Sequence, residues 1–319
     1  MKILANDGIS ASGVNALEAA GFEVILDKVA QDDLIDFINK EQIVGVLVRS
    51  ATTVRQNVID SCPSLKLIGR GGVGMDNIDV SYAREKGLTV INTPGASSQS
   101  VAELVMGHLF AVSRFLYASY KNMEHGEFSK LKKSYAKGVE LRGKTLGIVG
   151  FGRIGQSVAS YALGAGMKVV AIDRYTETAT ISLNIGGSNV DVQITPTSDL
   201  SSVIGDLDYI SLHIPKQADG SAVIQMKEFE MMKKGVRIVN AARGGVINES
   251  DLKEAISNGI VAAAALDVFE NEPNPDKSLT SHDSIACTPH IGAATVEAQD
   301  RIGTELAEQI KAALRSKML

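Results

Sequence analysis

Between Thr145 and Asp173 the chain follows a pattern that few backbones satisfy. Thr145-Leu146-Gly147-Ile148-Val149 is a short apolar strand, and Gly150-Phe151-Gly152-Arg153-Ile154-Gly155 is a G-x-G-x-x-G turn. A helical stretch runs from about Arg153 to Leu163, then Met167 to Ile172 forms a second strand, with Asp173 at its end. The glycines have separate roles: the first permits a tight turn, the second lets a pyrophosphate approach the backbone, and the third lets helix pack on strand. The unpaired N–H groups of the helix's first turn favour an anion there. An acid about 20 residues on, at a strand end, suits a ribose hydroxyl. Gly150, Gly152, Arg153, Ile154, Gly155 and Asp173 are therefore the candidate contacts to a dinucleotide. A carboxylate accepts from a 2′-hydroxyl and repels a 2′-phosphate, so Asp173 points to NAD rather than NADP, with Arg174 beside it as the opposing cation.

A chain of 319 residues exceeds one ordinary core, so two domains are expected. With 45% hydrophobic and 22% charged residues it has globular composition, and a net charge of −5 gives no general attraction to nucleic acid or anionic membrane. An anionic substrate must then meet a local basic pocket. Met1-Lys2-Ile3-Leu4-Ala5 begins a strand at once, and no segment has the length and apolarity of a membrane span, so the expected location is cytoplasmic. Cys62 and Cys287 show no metal or redox spacing and are expected to be reduced; no metal site is expected. Cys287 is near His290 in sequence, which suggests that its alkylation would impair activity.

Short apolar runs at Lys2–Ala5, Phe22–Leu26, Val44–Val48, Leu65–Gly69 and Leu88–Ile91 alternate with helical stretches and predict a small parallel sheet with crossover helices. Ser97 to Tyr120 reads as one long helix. Lys121 to Lys144 carries seven cations against three acids, either a solvated face or a basic arm that meets a phosphate. Ile181, Leu183 and Ile185 alternate, Gly186-Gly187-Ser188-Asn189 can turn, and Val190, Val192 and Ile194 alternate again, which predicts a hairpin where a plain βαβ unit would place a helix. Further strands are predicted at Tyr209–Leu212, Val236–Val239, Val261–Leu266 and Ser284–Cys287, and a closing helix within Gly292–Lys317 is expected to return to the first domain.

In open α/β sheets ligands bind beyond the carboxyl ends of the strands. Arg243, Glu272 and His290 each follow a different strand and are expected to meet there. A histidine takes a proton near neutral pH, a carboxylate beside it fixes its tautomer, and a guanidinium fork orients a substrate carboxylate. Each has a plainer alternative as a packed histidine, a strand-tying arginine or a loop acid. Together with the dinucleotide turn they favour hydroxy-acid oxidation.

The blocks Gly150–Gly155, Asn240-Ala241-Ala242-Arg243-Gly244-Gly245, Ala265-Leu266-Asp267-Val268-Phe269-Glu270 and Pro289-His290-Ile291-Gly292-Ala293-Ala294-Thr295 resemble the signatures of the D-isomer-specific 2-hydroxyacid dehydrogenases. The resemblance implies an α/β fold of two doubly wound parallel-sheet domains with a cleft between them. A discontinuous flavodoxin-like substrate domain would span residues 1–96 and 294–319, and a Rossmann nucleotide domain 97–293. It also implies NAD as cofactor, a homodimer, closure about hinges near Pro94–Val101 and Pro289–Thr295, His290 as acid/base, Glu272 as its partner and Arg243 as substrate clamp. Asp267 would meet the nicotinamide carboxamide, and His213, Pro215, Ala241 and Gly292 would line the cofactor cleft. Gly72-Val73-Gly74 would offer backbone N–H groups to a substrate carboxylate. Arg49 and Arg70 would hold a substrate phosphate, with Lys132 or Lys133 extending that site across a dimer interface. The hairpin is longer than the family's usual connection, and the chain stops short of the regulatory domains of longer relatives, so feedback through such a domain is not expected. Two rivals remain: reduction of hydroxypyruvate, glyoxylate or another 2-hydroxyacid partner, and an NAD-sensing corepressor role on the same fold.

Overall fold

The computed structural model describes residues 1–315, which divide into two compact units: Met1–Ser98 with the segment from Ala293, and Gln99–Gly292. The boundary falls at the start of the helix Ser98–Arg114.

The first unit holds five parallel strands, β1 (Lys2–Ala5), β2 (Glu23–Ile25), β3 (Ile43–Val48), β4 (Leu67–Arg70) and β5 (Thr89–Asn92), in the order β2-β1-β3-β4-β5. This is the flavodoxin-like order, with its switch between β1 and β3. The central strand β3 reads Ile-Val-Gly-Val-Leu-Val, and such a continuous apolar run is what a strand covered on both faces requires. The closing helix, Val296–Arg315, buries Ile302, Leu306, Ala307, Ile310 and Leu314 against Ile3, Leu17, Leu47 and Leu67 of this unit. It crosses the helix Ala11–Glu18 closely at a pair of glycines: a Cβ on Gly13 would lie 2.9 Å from the carbonyl carbon of Gly303.

The second unit holds six parallel strands, β6 (Thr145–Val149), β7 (Lys168–Ile172), β10 (Tyr209–Leu212), β11 (Val236–Asn240), β12 (Val261–Leu266) and β13 (Ile285–Cys287), in the order β13-β12-β11-β10-β6-β7. Thr197 extends it by a parallel bridge to Ile172. The winding reverses between β6 and β10, which places Gly150 and His213 at a topological switch point. The strands β8 (Ala179–Ile185) and β9 (Ser188–Ile194) form the predicted hairpin, antiparallel and separate from the main sheet. Ile181 is buried with Ala159 and Ala162 of the helix Arg153–Gly164, and the opposite face carries the polar pairs Ser182–Asp191 and Asn184–Asn189.

The long helix expected from Ser97 to Tyr120 is broken. It ends at Arg114, Phe115 takes φ +56°, and a second helix, Leu116–Met123, departs at 67°. The cause lies downstream. Val139 N–H donates to Ser113 O at 3.0 Å, the carbonyl that residue 117 would use in a continuing helix. Tyr135 stacks on the Phe115 ring and Lys137 lies over it. Among the described residues no single helix is long and apolar enough to cross a membrane.

Candidate active site

The glycine-rich turn meets the three geometric demands separately. Gly150 has φ +94°, and a Cβ there would sit 2.5 Å from His213 O across the switch point. A Cβ on Gly155 would lie 2.1 Å from Gly150 O, so only glycine lets the helix Arg153–Gly164 approach β6. Gly152 faces open space within 4 Å and opens that helix without a side-chain cap. A phosphate fits such a turn, because the first-turn N–H groups have no intrahelical partners. Arg153 and Ile154 form the first turn of the helix.

Asp173 is half-buried and braces this turn: its Oδ2 accepts Phe151 N–H at 2.6 Å and its Oδ1 accepts Tyr175 N–H at 3.1 Å. Arg174 lies over the Tyr175 ring at 4.9 Å. His213 Nε2 is 2.8 Å from Ser211 Oγ, while its Nδ1 is shut from solvent without a partner. Burial pushes the His213 imidazole down to about 3, so it stays neutral at physiological pH. Pro215, two residues on, is exposed.

Three strand ends in this unit carry the candidate catalytic side chains. After β11, buried Asn240 fixes the next turn: its Oδ1 accepts Ala242 N–H at 3.1 Å and its Nδ2 donates to Arg243 O at 3.0 Å. Ala241 is half-buried within that turn. Gly244 permits tight passage, since a Cβ there would meet Phe269 O at 1.7 Å. Arg243 Nη1 donates to Ala242 O at 2.7 Å. After β12, Glu272 Oε1 accepts Phe269 N–H at 3.0 Å and its Oε2 lies 2.8 Å from His290 Nδ1. Burial works to raise the Glu272 carboxyl, but the hydrogen bonds from His290 and Phe269 and the charges of His290 and Arg243 outweigh it and hold the pKa below the ordinary value. The loop bearing Glu272 is clasped by Glu249: Glu270 N–H donates to Glu249 Oε1 at 2.7 Å and Glu249 N–H donates to Glu270 Oε1 at 3.1 Å. After β13, His290 sits at φ +53°, and its side chain is about one-third exposed, as is that of Glu272.

Sequence reasoning assigns Asp267 to the nicotinamide. In the structure its side chain is 1% exposed, and its oxygens accept Thr288 Oγ1–H, Ile291 N–H and Gly292 N–H at 2.6, 2.8 and 2.9 Å. Its evident work is to hold the turn that carries His290; one lone pair on Oδ2 is left for a carboxamide. Cys287 is a free, half-buried thiol, which does not favour the suggested alkylation. Burial, reinforced by the charge of Glu249, pushes its thiol up to about 11, so the thiolate needed for alkylation is scarce at neutral pH.

In the first unit, Arg49 follows β3 and Arg70 ends the neighbouring β4, where it pairs in register with Val48. Asp7, which sequence reasoning missed, shapes the turn after Arg49. It accepts Arg49 N–H at 2.7 Å, Thr52 N–H at 3.0 Å, Thr52 Oγ1–H at 2.7 Å and the Lys28 ammonium at 2.5 Å. Asp7, Lys28 and Arg49 border an open cavity of about 470 Å³. Gly72 N–H donates to Thr93 Oγ1 at 2.9 Å, which removes it from the expected carboxylate cradle and leaves Val73 and Gly74. Val73 is exposed, and Asn92 Nδ2 donates to its carbonyl at 2.8 Å. In the second unit, Lys132 and Lys133 are exposed on the short helix Phe128–Ser134. Other cations of that basic stretch are engaged locally: Lys121 with Asp283, Lys130 with Glu127 and Lys137 over Phe115. Among the described residues no group of His, Cys, Asp and Glu is arranged to hold a metal.

A dinucleotide turn at the switch point of a parallel sheet, with an arginine, a glutamate and a histidine beyond three later strands, defines a nicotinamide-linked oxidoreductase architecture. The family model of the D-isomer specific 2-hydroxyacid dehydrogenase NAD binding domain matches residues 106–292. The chain is 40% identical over 318 residues to a D-3-phosphoglycerate dehydrogenase of Methanocaldococcus jannaschii, covering 100% of this chain and 58% of that protein. It thus spans little more than half of that relative. It is 43% identical over 291 residues to a hydroxypyruvate reductase of Thermotoga maritima, covering 90% of each chain. The crystal structure of the TT0316 protein from Thermus thermophilus superposes with a TM-score of 0.85 at 28% identity, covering 99% of this chain and 97% of that one. The chain belongs to the D-isomer specific 2-hydroxyacid dehydrogenase family, and its second unit contains the NAD-binding domain.

Proposed function

We propose that the protein oxidises 3-phosphoglycerate to 3-phosphohydroxypyruvate with NAD as the acceptor. The observation that carries the chemistry is the 2.8 Å contact between His290 Nδ1 and Glu272 Oε2. An ionised carboxylate can only accept, so neutral His290 carries its proton on Nδ1 and keeps the lone pair on Nε2. Nε2 then takes the hydroxyl proton of the substrate, and Glu272 stabilises the imidazolium that results. Arg243 grips the substrate carboxylate and, in the reverse direction, polarises the 2-oxo group. Gly150, Gly152 and Gly155 with the helix N-terminus hold the pyrophosphate, Asp173 accepts from the adenosine ribose, and Ala241, Asp267 and Gly292 lie toward the nicotinamide. Bound NAD supplies the acceptor for the hydrogen and electron pair of the substrate C2–H bond.

The phosphorylated substrate is supported by Arg49, just past β3, and Arg70, at the end of the neighbouring β4, and by the likeness to the Methanocaldococcus protein. A dianionic phosphate calls for charge-assisted donors that an unphosphorylated acid would leave unmatched. A second reading, reduction of hydroxypyruvate or glyoxylate, has its own support in the Thermotoga relative, of which 90% is covered. Both of these relatives carry the names of enzymes, which gives the corepressor reading no support. We also propose a homodimer through the segment 110–128, which exposes the apolar side chains of Phe110, Leu116, Tyr120, Met123 and Phe128. In that assembly Lys132 or Lys133 would reach the partner's phosphate.

Substrate choice is tested by NADH formation at alkaline pH from 3-phosphoglycerate, beside D-glycerate and D-lactate, with Arg49→Ala in parallel. Strong preference for the phosphorylated acid, lost in the variant, supports the proposal. Equal or better turnover of an unphosphorylated acid contradicts it.

A further inference from the structure

Below the turn that carries His290, residues distant in sequence form one part-buried polar chain. Asp267 ties down Ile291 and Gly292 after His290 and Thr288 before it. His290 itself holds φ +53°, a conformation a non-glycine residue keeps only where its surroundings fix it. The chain continues to the helix Ser98–Arg114, where His108 Nε2 lies 3.1 Å from Thr288 Oγ1.

The directions of these bonds determine a tautomer. Thr288 has one hydroxyl hydrogen, and it goes to the Asp267 carboxylate, which can only accept. Thr288 must therefore accept from His108, so Nε2 carries the proton and Nδ1 the lone pair. That Nδ1 is buried with no partner, in a side chain 1% exposed and stacked on Tyr117 at 6.1 Å. Burial keeps the imidazole pKa below its ordinary value in spite of the nearby Asp267 charge. A leucine of similar size would fill the slot without an orphaned acceptor. Packing alone does not account for an imidazole here.

We infer that His108 is a positioning residue for His290, acting through Thr288 and Asp267 to hold the turn from Thr288 to Gly292 in its left-handed form. The inference rests on the reading of His290 as acid/base. Because the part that matters is one N–H donor, a glutamine amide in its place preserves the function and a leucine does not.

The test compares His108→Leu, His108→Gln, Thr288→Val and the double variant His108→Leu with Thr288→Val. For His108→Leu, kcat should fall roughly 3- to 10-fold, the rate equivalent of one neutral hydrogen bond. The KM values for NADH and for the 2-oxo acid should stay within about twofold of wild type, and Tm should be equal or higher, since an unpartnered buried acceptor is removed. His108→Gln should stay near the wild-type kcat. The double variant should lose less than the product of the two single losses, because both cut the same chain. Amide hydrogen exchange at Ile291 and Gly292 should rise in His108→Leu and not in His108→Gln, with the amides of β12 unchanged. Wild-type kcat and exchange in His108→Leu, or a loss of kcat that tracks a falling Tm and exchange rising everywhere, overturns the inference. If wild-type protein turns over no 2-oxo or 2-hydroxy acid, the acid/base reading fails. The exchange experiment still decides the rest: a rise confined to Ile291 and Gly292 sustains the positioning role, and no rise rejects it.

Discussion

Glu272 and His290 meet at 2.8 Å although they follow different strands, and Glu272 is itself tied to the backbone by Phe269 N–H. The carboxylate therefore arrives already oriented, and the histidine tautomer is set before any substrate binds. With His290 as the proposed acid/base, His290→Ala should lower kcat by ~10²–10⁴-fold. Steady-state NADH assays on a correctly folded variant check this; turnover near wild type would reject the assignment.

In the proposed mechanism Glu272 acts through His290, and its removal should be milder. A charge-assisted hydrogen bond worth about 1.5–3 kcal/mol corresponds to a loss of roughly 10- to 150-fold in kcat for Glu272→Ala. A loss as large as that of His290→Ala would mean that Glu272 meets the substrate directly.

Gly155 should tolerate no side chain, because its Cβ would fall 2.1 Å from Gly150 O. Gly155→Ala is expected to destabilise the second unit by about 1–3 kcal/mol through overpacking and to weaken NADH binding. Gly164→Ala, at an open position with an ordinary φ at the far end of the same helix, is the control for a glycine substitution outside the turn. Unchanged Tm and NADH fluorescence titration in Gly155→Ala would show that helix and strand can separate at this point.

Cys62 and Cys287 have thiols pushed up to about 11, chiefly by burial. Both should resist iodoacetamide at pH 7.5, and labelling followed by mass spectrometry should give near-zero modification in native protein and full modification after denaturation. Rapid native labelling of Cys287 would contradict the half-buried, neutral thiol.

Asp7 gives a pH dependence with a definite sign. Burial raises its carboxyl, but Lys28, the Thr52 hydroxyl and the N–H groups of Arg49 and Thr52 prevail and hold it below the ordinary 3.8. A carboxyl depressed in the folded state contributes stability that is present above pH 3.8 and lost as pH falls through the folded pKa. Asp7→Asn should be less stable than wild type at neutral pH, and the gap in Tm should narrow as pH falls below about 3.8. A constant gap down to pH 2 would mean that Asp7 does not titrate in this window.

Much of this molecule is written locally. Gly150 to Gly155 and Asp173 lie in one short segment, so period and spacing reveal them, and Arg243, Glu272 and His290 are polar residues just beyond apolar strands. The hairpin is legible because two runs alternate around Gly186 and Gly187. The polar braces are not legible in the same way. His108 is separated from Thr288 by 180 residues and sits on the apolar side of a helix, where sequence alone gives a packed side chain. Asp7 stands after β1 as any turn acid would, and Glu249 and Glu270 read as ordinary acids until their loops are brought together. The break at Phe115 depends on a hydrogen bond from Val139, far enough downstream that helical periodicity runs straight through it. Gly72 reads as available to a substrate only because its partner Thr93 lies 21 residues away.

The most direct test is to follow NADH absorbance with purified protein, NAD and 3-phosphoglycerate at alkaline pH, for wild type and His290→Ala. Wild type should turn over the substrate, and the variant should lose at least about 100-fold. Turnover of equal size in both, or none in wild type with any D-2-hydroxy acid, would contradict the proposed mechanism.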